Sequence, residues 1–258
     1  MTAKTIISGS VGGTVKPAVR NKINIATPAY GSHYAGVYVR SLYSLLSTAA
    51  RHGVDFSFSD IDYADIVSAR NYLISNFYFN KKDCSHILFL DDDMGFAPDL
   101  IHDMLRLKQD VVGVLAPRRN IDLRKLHAGA AHPFEQAYAH ACDFIGTPKP
   151  GHGNTDFVEV AQCGTGILLI SRHCIDEMLR KCPDIRDTRK FRKMPFGARF
   201  QEFITPFNKI ELPDAELSED LSFCHRWVKH CNGKIFANVS RKIQHVMQLT
   251  VDTRFQDR

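Results

Sequence analysis

Several features that define other classes of protein are absent from this sequence of 258 residues. No apolar run approaches the length of about 20 residues that crosses a membrane. The N-terminal region contains no apolar segment with a cleavage site, so no secretory signal is predicted. No internal repeat or low-complexity tract is present. We therefore expect a protein without a membrane span that resides in the cytoplasm.

The cysteines follow none of the spacings that mark a metal site or a disulfide framework. The seven cysteines form no Cys-x-x-Cys pair, and such pairs are typical of zinc and redox sites. Their odd number fits reduced thiols in a cytosolic protein better than disulfides. The net charge of +5 is mild, so it suits an anionic ligand without requiring nucleic acid.

Glycine is concentrated near the N-terminus, where residues 9–16 form a glycine-rich stretch. The stretch lacks the Gly-Lys-Ser/Thr ending with which a P-loop holds phosphates, so it is not predicted as a nucleotide site. We expect residues 1–21 to form a flexible N-terminal arm.

Predicted strands and helices alternate through the first 117 residues. Such alternation indicates a parallel sheet covered by helices, which is the α/β class. The elements cover, in order, residues 23–27 (strand), 36–52 (helix), 54–58 (strand), 64–79 (helix), 87–90 (strand), 98–107 (helix) and 110–115 (strand).

The second part of the chain is less regular. Residues 120–154 are looser and contain several histidines and prolines, and residues 184–213 have no clean period and are predicted as a long loop. The other predicted elements are strands at 156–160, 166–170 and 234–239 and helices at 172–181 and 218–231.

Four apolar residues, Ile87 to Leu90, run directly into the three carboxylates Asp91, Asp92 and Asp93. The apolar residues predict a strand that is buried on both faces of a sheet. Because unpaired charge is costly in a core, the aspartates must emerge where α/β sheets bind ligands, at the carboxyl end of the strand. In an extended chain, Asp91 and Asp93 would lie on one side and Asp92 on the other. Such carboxylates favour Mg²⁺ or Mn²⁺, although a solvated acidic turn has the same sequence.

Several further polar groups are candidates for the same site, and each also has a plain structural explanation. Acidic residues at a helix start are favoured by the helix dipole, a lone histidine is usually a surface residue, and paired arginines are common in solvated loops. In a site, a carboxylate would act as general base and arginines would neutralise phosphate. The candidates are Glu219 with Asp220, His245, Arg70 with Asn71, Arg118 with Arg119, and the turn of Gly164, Thr165 and Gly166.

Basic and aromatic residues alternate in a loop around residues 186–199. This mixture could hold an anionic acceptor or nucleic acid, and a solvated loop is the alternative. The residues are Arg186, Arg189, Lys190, Arg192, Lys193 and Arg199, with Phe191, Phe196 and Phe200 among them.

Taken together, these motifs resemble a GT-A glycosyltransferase, an enzyme that uses a nucleotide sugar. The similarity is to the broad family 2 enzymes, and more closely to the group that includes the fungal Golgi mannan-polymerase subunits and small bacterial and phage homologues. The matching segments occur in order along most of the chain. They are residues 27–30, 68–71, 87–93, 111–118, 164–166 and 218–221, and finally His245.

The resemblance implies a fold and a reaction. The fold would be GT-A, a Rossmann-like mixed, mostly parallel sheet flanked by helices in a single domain. Residues 22–117 would form its nucleotide-binding half, and residues 118–258 its acceptor-binding half with the C-terminal tail. The reaction would move a hexose from a nucleotide diphosphate sugar to a hydroxyl acceptor with Mn²⁺ or Mg²⁺ as cofactor. UDP is favoured because it is the commonest nucleotide among such enzymes.

The resemblance also implies roles for individual residues. Asp91 and Asp93 would form the DxD motif that holds the metal against the donor diphosphate, and His245 would complete the metal shell. Asp220, or Glu219, would be the acidic residue beside the acceptor hydroxyl. The donor would lie along Thr27, Pro28, Ala29, Tyr30, Arg70, Asn71, Asp91, Asp92 and Arg118.

Departures from the pattern define the competing interpretations. The chain after Asp220 has no Gln-x-x-Arg-Trp motif, which argues against a processive polysaccharide synthase. A metal-dependent phosphohydrolase is an alternative, but Gly95 stands where haloacid-dehalogenase-like enzymes need Thr or Val. A nucleic-acid-binding module that uses the basic loop is a further alternative, and it leaves the aspartates unexplained.

Overall fold

The computed structural model of the protein describes residues 21–150, 155–187 and 202–249. The expected N-terminal arm therefore lies outside the described residues, apart from its last position. The basic loop also lies outside them, apart from Arg186, which donates a hydrogen bond of 2.5 Å to Glu202.

Strands and helices alternate along the described chain. In chain order the elements are β1 (Asn21–Pro28), α1 (Gly36–Thr48), β2 (Val54–Ile61), α2 (Ile66–Asn80), β3 (His86–Leu90), β4 (Met94–Gly95), α3 (Pro98–Arg106), β5 (Val111–Val114), α4 (Leu123–Ala128), α5 (Phe134–Ala141), β6 (Gly146–Pro148), β7 (Phe157–Cys163), β8 (Ile167–Ser171), α6 (Arg172–Lys181), β9 (Arg186–Asp187), β10 (Phe203–Ile204), β11 (Glu211–Leu212), β12 (Ala215–Glu216), α7 (Glu219–His225), β13 (Ile235–Asn238) and β14 (Gln244–His245).

Eight of these strands form one sheet in the order β2-β1-β3-β8-β5-β13-β7-β6. β1 is parallel to β2 and β3, and β5 is parallel to β13. β8 lies antiparallel between β3 and β5, and β7 is antiparallel to β13 and β6. All strands of the sheet except β7 and β8 therefore run in one direction. The predicted single α/β domain with a mixed, mostly parallel sheet flanked by helices is confirmed.

Strand β3 lies in the middle of the core and contributes side chains to both faces of the sheet. Ile87 and Phe89 join a cluster with residues of α2, α6 and α7. Leu88 and Leu90 join a second cluster with residues of α1 and α3. All four side chains are fully buried, which confirms the strand buried on two faces that the apolar run predicts.

Several helices begin or end at residues that the sequence marks, whereas the predicted helix 218–231 is divided into α7 and a π-helical turn, Arg226–His230. α1 continues into a 3₁₀ turn, Ala49–His52, which ends at Gly53 in the left-handed conformation with φ of 65°; glycine adopts this conformation without steric cost. Pro98 is the first residue of α3. The hydroxyl of Ser171 caps α6 and that of Ser218 caps α7, as expected for serine at a helix start.

The irregular middle of the chain contains more structure than the sequence predicts. α4, α5 and β6 lie within residues 120–154, and short strands occur within residues 184–213. α4 buries no residue, and α5 buries only Ala137 and Ala141. Helices that bury so little apolar surface lack the periodic pattern on which a prediction from sequence depends.

Two further features concern the whole described chain. All seven cysteines are free thiols. Within residues 21–150, 155–187 and 202–249, none of the helices has both the length and the apolar character needed to span a bilayer.

Candidate functional site

The ends of β1, β3 and β5 and the beginning of β8 surround a cavity of about 380 Å³. Charged residues from distant parts of the chain meet at its wall. The residues that line it include Pro28, Tyr30, Arg70, Asp91, Asp92, Asp93, Arg119, Gly164, Thr165, Gly166, Glu219, Asp220 and His245. The structure therefore brings together the aspartate triplet, the acidic start of α7 and the late histidine.

The three aspartates occupy a turn and not the continuation of a strand. β3 ends at Leu90, and the amide of Met94 donates to the carbonyl of Asp91 at 3.1 Å. The expectation that Asp91 and Asp93 lie on one side of an extended chain is therefore wrong, and all three carboxylates line the cavity.

Other segments hold this turn through backbone hydrogen bonds. The amide of Asp91 donates to the carbonyl of Gly166 at 2.9 Å, which continues the pairing of β3 with β8 by one residue. The carbonyls of Asp92 and Asp93 accept from the amides of Ala35 and Val246 at 2.9 and 3.0 Å. Because these partners come from three separate segments, the sequence around the aspartates does not reveal the turn.

Arg70 is the centre of a charge cluster on one side of the cavity. Its side chain, on α2, is only 4% exposed. One guanidinium nitrogen, Nη1, contacts Oε1 of Glu219 at 2.7 Å and also Oδ1 of Asp220, while Nη2 lies 3.2 Å from Oδ2 of Asp91. Burial lowers the pKa of Arg70, but the three carboxylates outweigh burial and raise it. A single cation thus faces three acidic groups.

Acidic groups outnumber the cations around the cavity. Burial raises the pKa of Asp91, and the nearby carboxylates of Asp220 and Asp93 raise it further. The positive charge of Arg70 lowers it, but the net change is upward. Burial followed by the two neighbouring carboxylates raises the pKa of Asp92 to about 6. The third carboxylate, Asp93, pairs with Arg119 at 3.1 Å. An excess of negative charge at one point is what a site for a cation requires.

The side chain of Thr165 also binds Asp220. Thr165 is buried, and its Oγ1 donates to Oδ1 of Asp220 at 2.5 Å. This is the same carboxylate oxygen that Arg70 contacts. Thr165 reaches Asp220 because it lies in the short link between β7 and β8.

His245 reaches the aspartates because β14 pairs with β4, which places His245 opposite Met94. Its Nδ1 lies 2.7 Å from the carbonyl oxygen of Pro117, and its Nε2 lies 3.4 Å from Oδ2 of Asp93. A carbonyl only accepts, so Nδ1 carries a hydrogen and the neutral ring has its lone pair on Nε2. Burial lowers the pKa of His245, but hydrogen bonds to Asp93 and to the Pro117 carbonyl outweigh burial and raise it.

The residues beside Asp93 fit a divalent cation. A histidine that donates its Nδ1 hydrogen to a carbonyl and turns Nε2 towards a carboxylate has the orientation of a metal ligand. Mg²⁺ and similar ions are commonly held by one or two protein ligands together with substrate phosphates. Within the part of the chain that the structure describes, no group of three or more His, Cys, Asp or Glu side chains is close enough to bind a metal. With two protein ligands, Asp93 and His245, the site would suit a cation that also binds substrate phosphates.

Some residues that the resemblance connects to the donor do not line the cavity. Thr27 is fully buried and its hydroxyl bonds to that of Tyr38 at 2.7 Å, and Ala29 is buried too. Asn71 bonds to Asn208 at 3.0 Å. Arg118 is not among the lining residues, whereas Arg119 is.

The site also contains residues that the sequence did not single out. Tyr63 and Ile66, around the start of α2, and Ile145, before β6, line the cavity. Tyr63 and Ile66 follow the end of β2, so the rule that ligands bind at the carboxyl ends of strands could have found them. Ile145 has no such signal.

No protein-family model matches this chain, and no curated protein does. Among solved structures, the chain resembles the A197 protein of STIV, with 15% identity and a TM-score of 0.44 over 88% of this chain and 86% of that one. It also resembles a Drosophila β-1,4-galactosyltransferase 7 variant in complex with manganese, UDP-Gal and xylobiose, with 12% identity and a TM-score of 0.41 over 88% and 71%. A glycosyltransferase involved in glycosylation of the major capsid of PBCV-1 has 10% identity and a TM-score of 0.32 over 69% and 72%. Similarity at this level does not extend to function.

Proposed function

We propose that this protein is a metal-dependent glycosyltransferase of the GT-A type that transfers a hexose from a nucleotide diphosphate sugar, with UDP favoured, to a hydroxyl acceptor. The observation that carries the proposal is the convergence on one cavity of the Asp91 to Asp93 turn, His245, and the acidic start of α7 at Asp220. The aspartate turn and His245 would supply a place for a cation, and Asp220 would supply a base. These are the two components that transfer from a diphosphate leaving group requires.

Asp93 and His245 would hold the divalent cation, with Asp91 as a further carboxylate nearby. When bound, the cation would supply positive charge that stabilises the departing diphosphate. Arg119, which lies at the same wall and pairs with Asp93, would add a second positive charge on the chain itself. Tyr30 is 69% exposed and also lines the cavity, and its ring would lie against the nucleoside.

Asp220 is the residue we assign as general base. The acceptor hydroxyl gives its proton to Asp220 as its oxygen bonds to the anomeric carbon of the donor. The bond between that carbon and the diphosphate oxygen breaks, and the nucleoside diphosphate leaves with the electron pair. Arg70 holds Asp220 in place through an ion pair, and it is too buried to be the main contact of the donor. The role expected for Arg70 thus moves from the donor to the base.

A thermal-shift screen tests the proposed function. The panel is UDP-glucose, UDP-galactose, UDP-N-acetylglucosamine and GDP-mannose, each with Mn²⁺ and with EDTA. A ligand at 100 times its dissociation constant adds about 2.7 kcal/mol to the free energy of unfolding, which raises Tm by roughly 5 to 10 °C in a domain of this size. We expect one nucleotide to give this shift with Mn²⁺ only. Equal Tm values across the panel would contradict the proposal.

Replacing Asp93 with Ala should remove the part of the shift that depends on Mn²⁺, because the carboxylate beside His245 is then missing. Asp83→Ala is the matched control, since that side chain is 61% exposed, pairs with Lys22 and lies outside the cavity. The control should keep the full shift. A shift in the Asp93 variant as large as that of the wild type would remove Asp93 as a ligand.

A further inference from the structure

We infer that Thr165 is a positioning residue for the transfer reaction: it fixes Oδ1 of Asp220, so that Oδ2 is the oxygen that takes the proton from the acceptor. This inference rests on the proposed function and deepens it. The sequence marks the segment from Gly164 to Gly166 as a candidate for the site or a plain turn, and it assigns no role to the hydroxyl of Thr165.

The location of Thr165 explains how a turn residue reaches the base. It lies between Gly164 and Gly166, in the link that joins β7 to β8, and only 1% of its surface is exposed. The same link is held at the cavity, since the carbonyl of Gly166 accepts the amide of Asp91. The threonine is therefore fixed relative to the aspartate turn, and its hydroxyl lies against the first turn of α7.

Two donors converge on one oxygen of Asp220. Oγ1 of Thr165 donates to Oδ1 at 2.5 Å, and Nη1 of Arg70 contacts the same Oδ1. The other oxygen, Oδ2, has no hydrogen-bond partner among the residues that the structure describes. A hydrogen bond from a hydroxyl to a carboxylate is short and strongly oriented, so the two donors set the rotation of the carboxylate and distinguish its oxygens.

The free oxygen faces the space left by a glycine. A methyl group built on Gly164 would lie 3.7 Å from Oδ2 of Asp220, and 3.3 Å from the side chain of Ile145. Gly164 and Ile145 both line the cavity. Because Gly164 has no side chain, Oδ2 is open on the side where an acceptor hydroxyl could approach. A base must lie within hydrogen-bond reach of the proton that it takes, and Oδ2 is the oxygen of Asp220 that Arg70 and Thr165 leave available for this.

The effect of Thr165 on turnover distinguishes a positioning residue from one whose hydrogen bond only stabilises the fold. If Thr165 only supported the fold, its loss would lower stability and leave the activity of the folded protein unchanged. If it orients the base, its loss lets the carboxylate rotate, and kcat falls while the donor, which Thr165 is not proposed to bind, keeps its affinity. A misplaced catalytic group typically lowers the rate by one to two orders of magnitude.

The test compares Thr165→Val and Thr165→Ser with Thr205→Val. Thr205 is a matched control, because it is also buried and its hydroxyl donates to the carbonyl of Ile185 at 3.0 Å, away from the cavity. For each protein, release of nucleoside diphosphate from the four nucleotide sugars of the panel is measured with Mn²⁺, with water as acceptor. KM for the donor and Tm are measured in parallel.

We expect kcat to fall by roughly 10- to 100-fold in Thr165→Val, with KM for the donor within about twofold of the wild-type value. Thr165→Ser should recover most of the loss, since it restores the hydroxyl, and Thr205→Val should keep the wild-type kcat despite a lower Tm. Wild-type turnover in Thr165→Val, or a loss that Ser does not restore, would overturn the role of Thr165 and leave the proposed function standing. If the wild type releases no nucleoside diphosphate from any panel member, the proposed function fails, and the inference fails with it.

Discussion

Replacement of Asp220 with Asn should lower kcat by roughly 10²- to 10⁴-fold, which is the usual contribution of a general base, and leave the affinity for the nucleotide sugar almost unchanged. Asn has the shape of Asp, and its amide oxygen can still accept from Thr165 and Arg70. The variant therefore keeps the local structure and loses the ability to take a proton. Single-turnover kinetics with saturating donor would measure the loss directly.

Glu219→Gln is the comparison that decides between the two acidic residues at the start of α7. Glu219 contacts Arg70 through Oε1 at 2.7 Å, and Asp220 has the additional contact with Thr165. We expect a much smaller loss of kcat in the Glu219 variant. If Glu219→Gln is the more severe of the two, the base is Glu219, and full activity of Asp220→Asn would remove Asp220 from that role.

Replacement of Arg70 with Met should destabilise the protein by about 3 to 5 kcal/mol, because removal of one partner from a buried ion-pair network leaves the other charges uncompensated. Three carboxylates, those of Asp91, Glu219 and Asp220, would face one another without a cation. Chemical denaturation would measure this change in the free energy of unfolding. Donor turnover should also be lost, since Asp220 would be repelled from its position.

Arg226→Met is a matched control for this experiment. Arg226 is a buried arginine too, but it donates to the carbonyls of Pro206 and Asn208 at 2.9 and 2.6 Å and, among the described residues, to no carboxylate. Its loss should cost about 1 to 3 kcal/mol, the range for unsatisfied buried polar groups, and should leave turnover by the folded protein intact. Equal stability losses in the two variants, with turnover kept in both, would contradict the assigned role of Arg70.

The boundaries of several elements are predictable because their signals are local. The end of the first helix at Gly53, the start of α3 at Pro98 and the cap of α7 at Ser218 depend on conformational preferences of single residues. The burial of β3 on two faces follows from its apolar run. None of these features needs knowledge of a distant partner.

The order and direction of the strands in the sheet are harder to predict from the sequence. β8 is antiparallel and lies between two parallel strands, β3 and β5. Its five residues are all buried, so it has the same apolar sequence that a parallel strand would have at that position. The direction of a fully buried strand is set by the connections of the chain and leaves no mark in its sequence.

Some features of the site are also predictable from neighbouring residues, whereas others depend on residues that are distant in the sequence. That carboxylates emerge at Asp91 to Asp93 and at Glu219 and Asp220 follows from the strand and the helix cap that precede them. The turn of the aspartates depends on partners from three other segments. The contact of Arg70 with Asp220 joins residues 150 positions apart, and the contact with Thr165 joins residues 55 positions apart. A single sequence has no signal for pairings at these separations.

The most direct test of the central claim is a calorimetric titration of the wild-type protein with UDP and with GDP, each with Mn²⁺ and with EDTA. The claim is that the acidic end of β3, together with His245, binds a divalent cation that in turn binds a diphosphate. The account predicts that one of the two nucleotides binds with Mn²⁺ and that this binding disappears when EDTA removes the metal. Equal affinity with and without the metal, or no binding of either nucleotide with Mn²⁺, would contradict it.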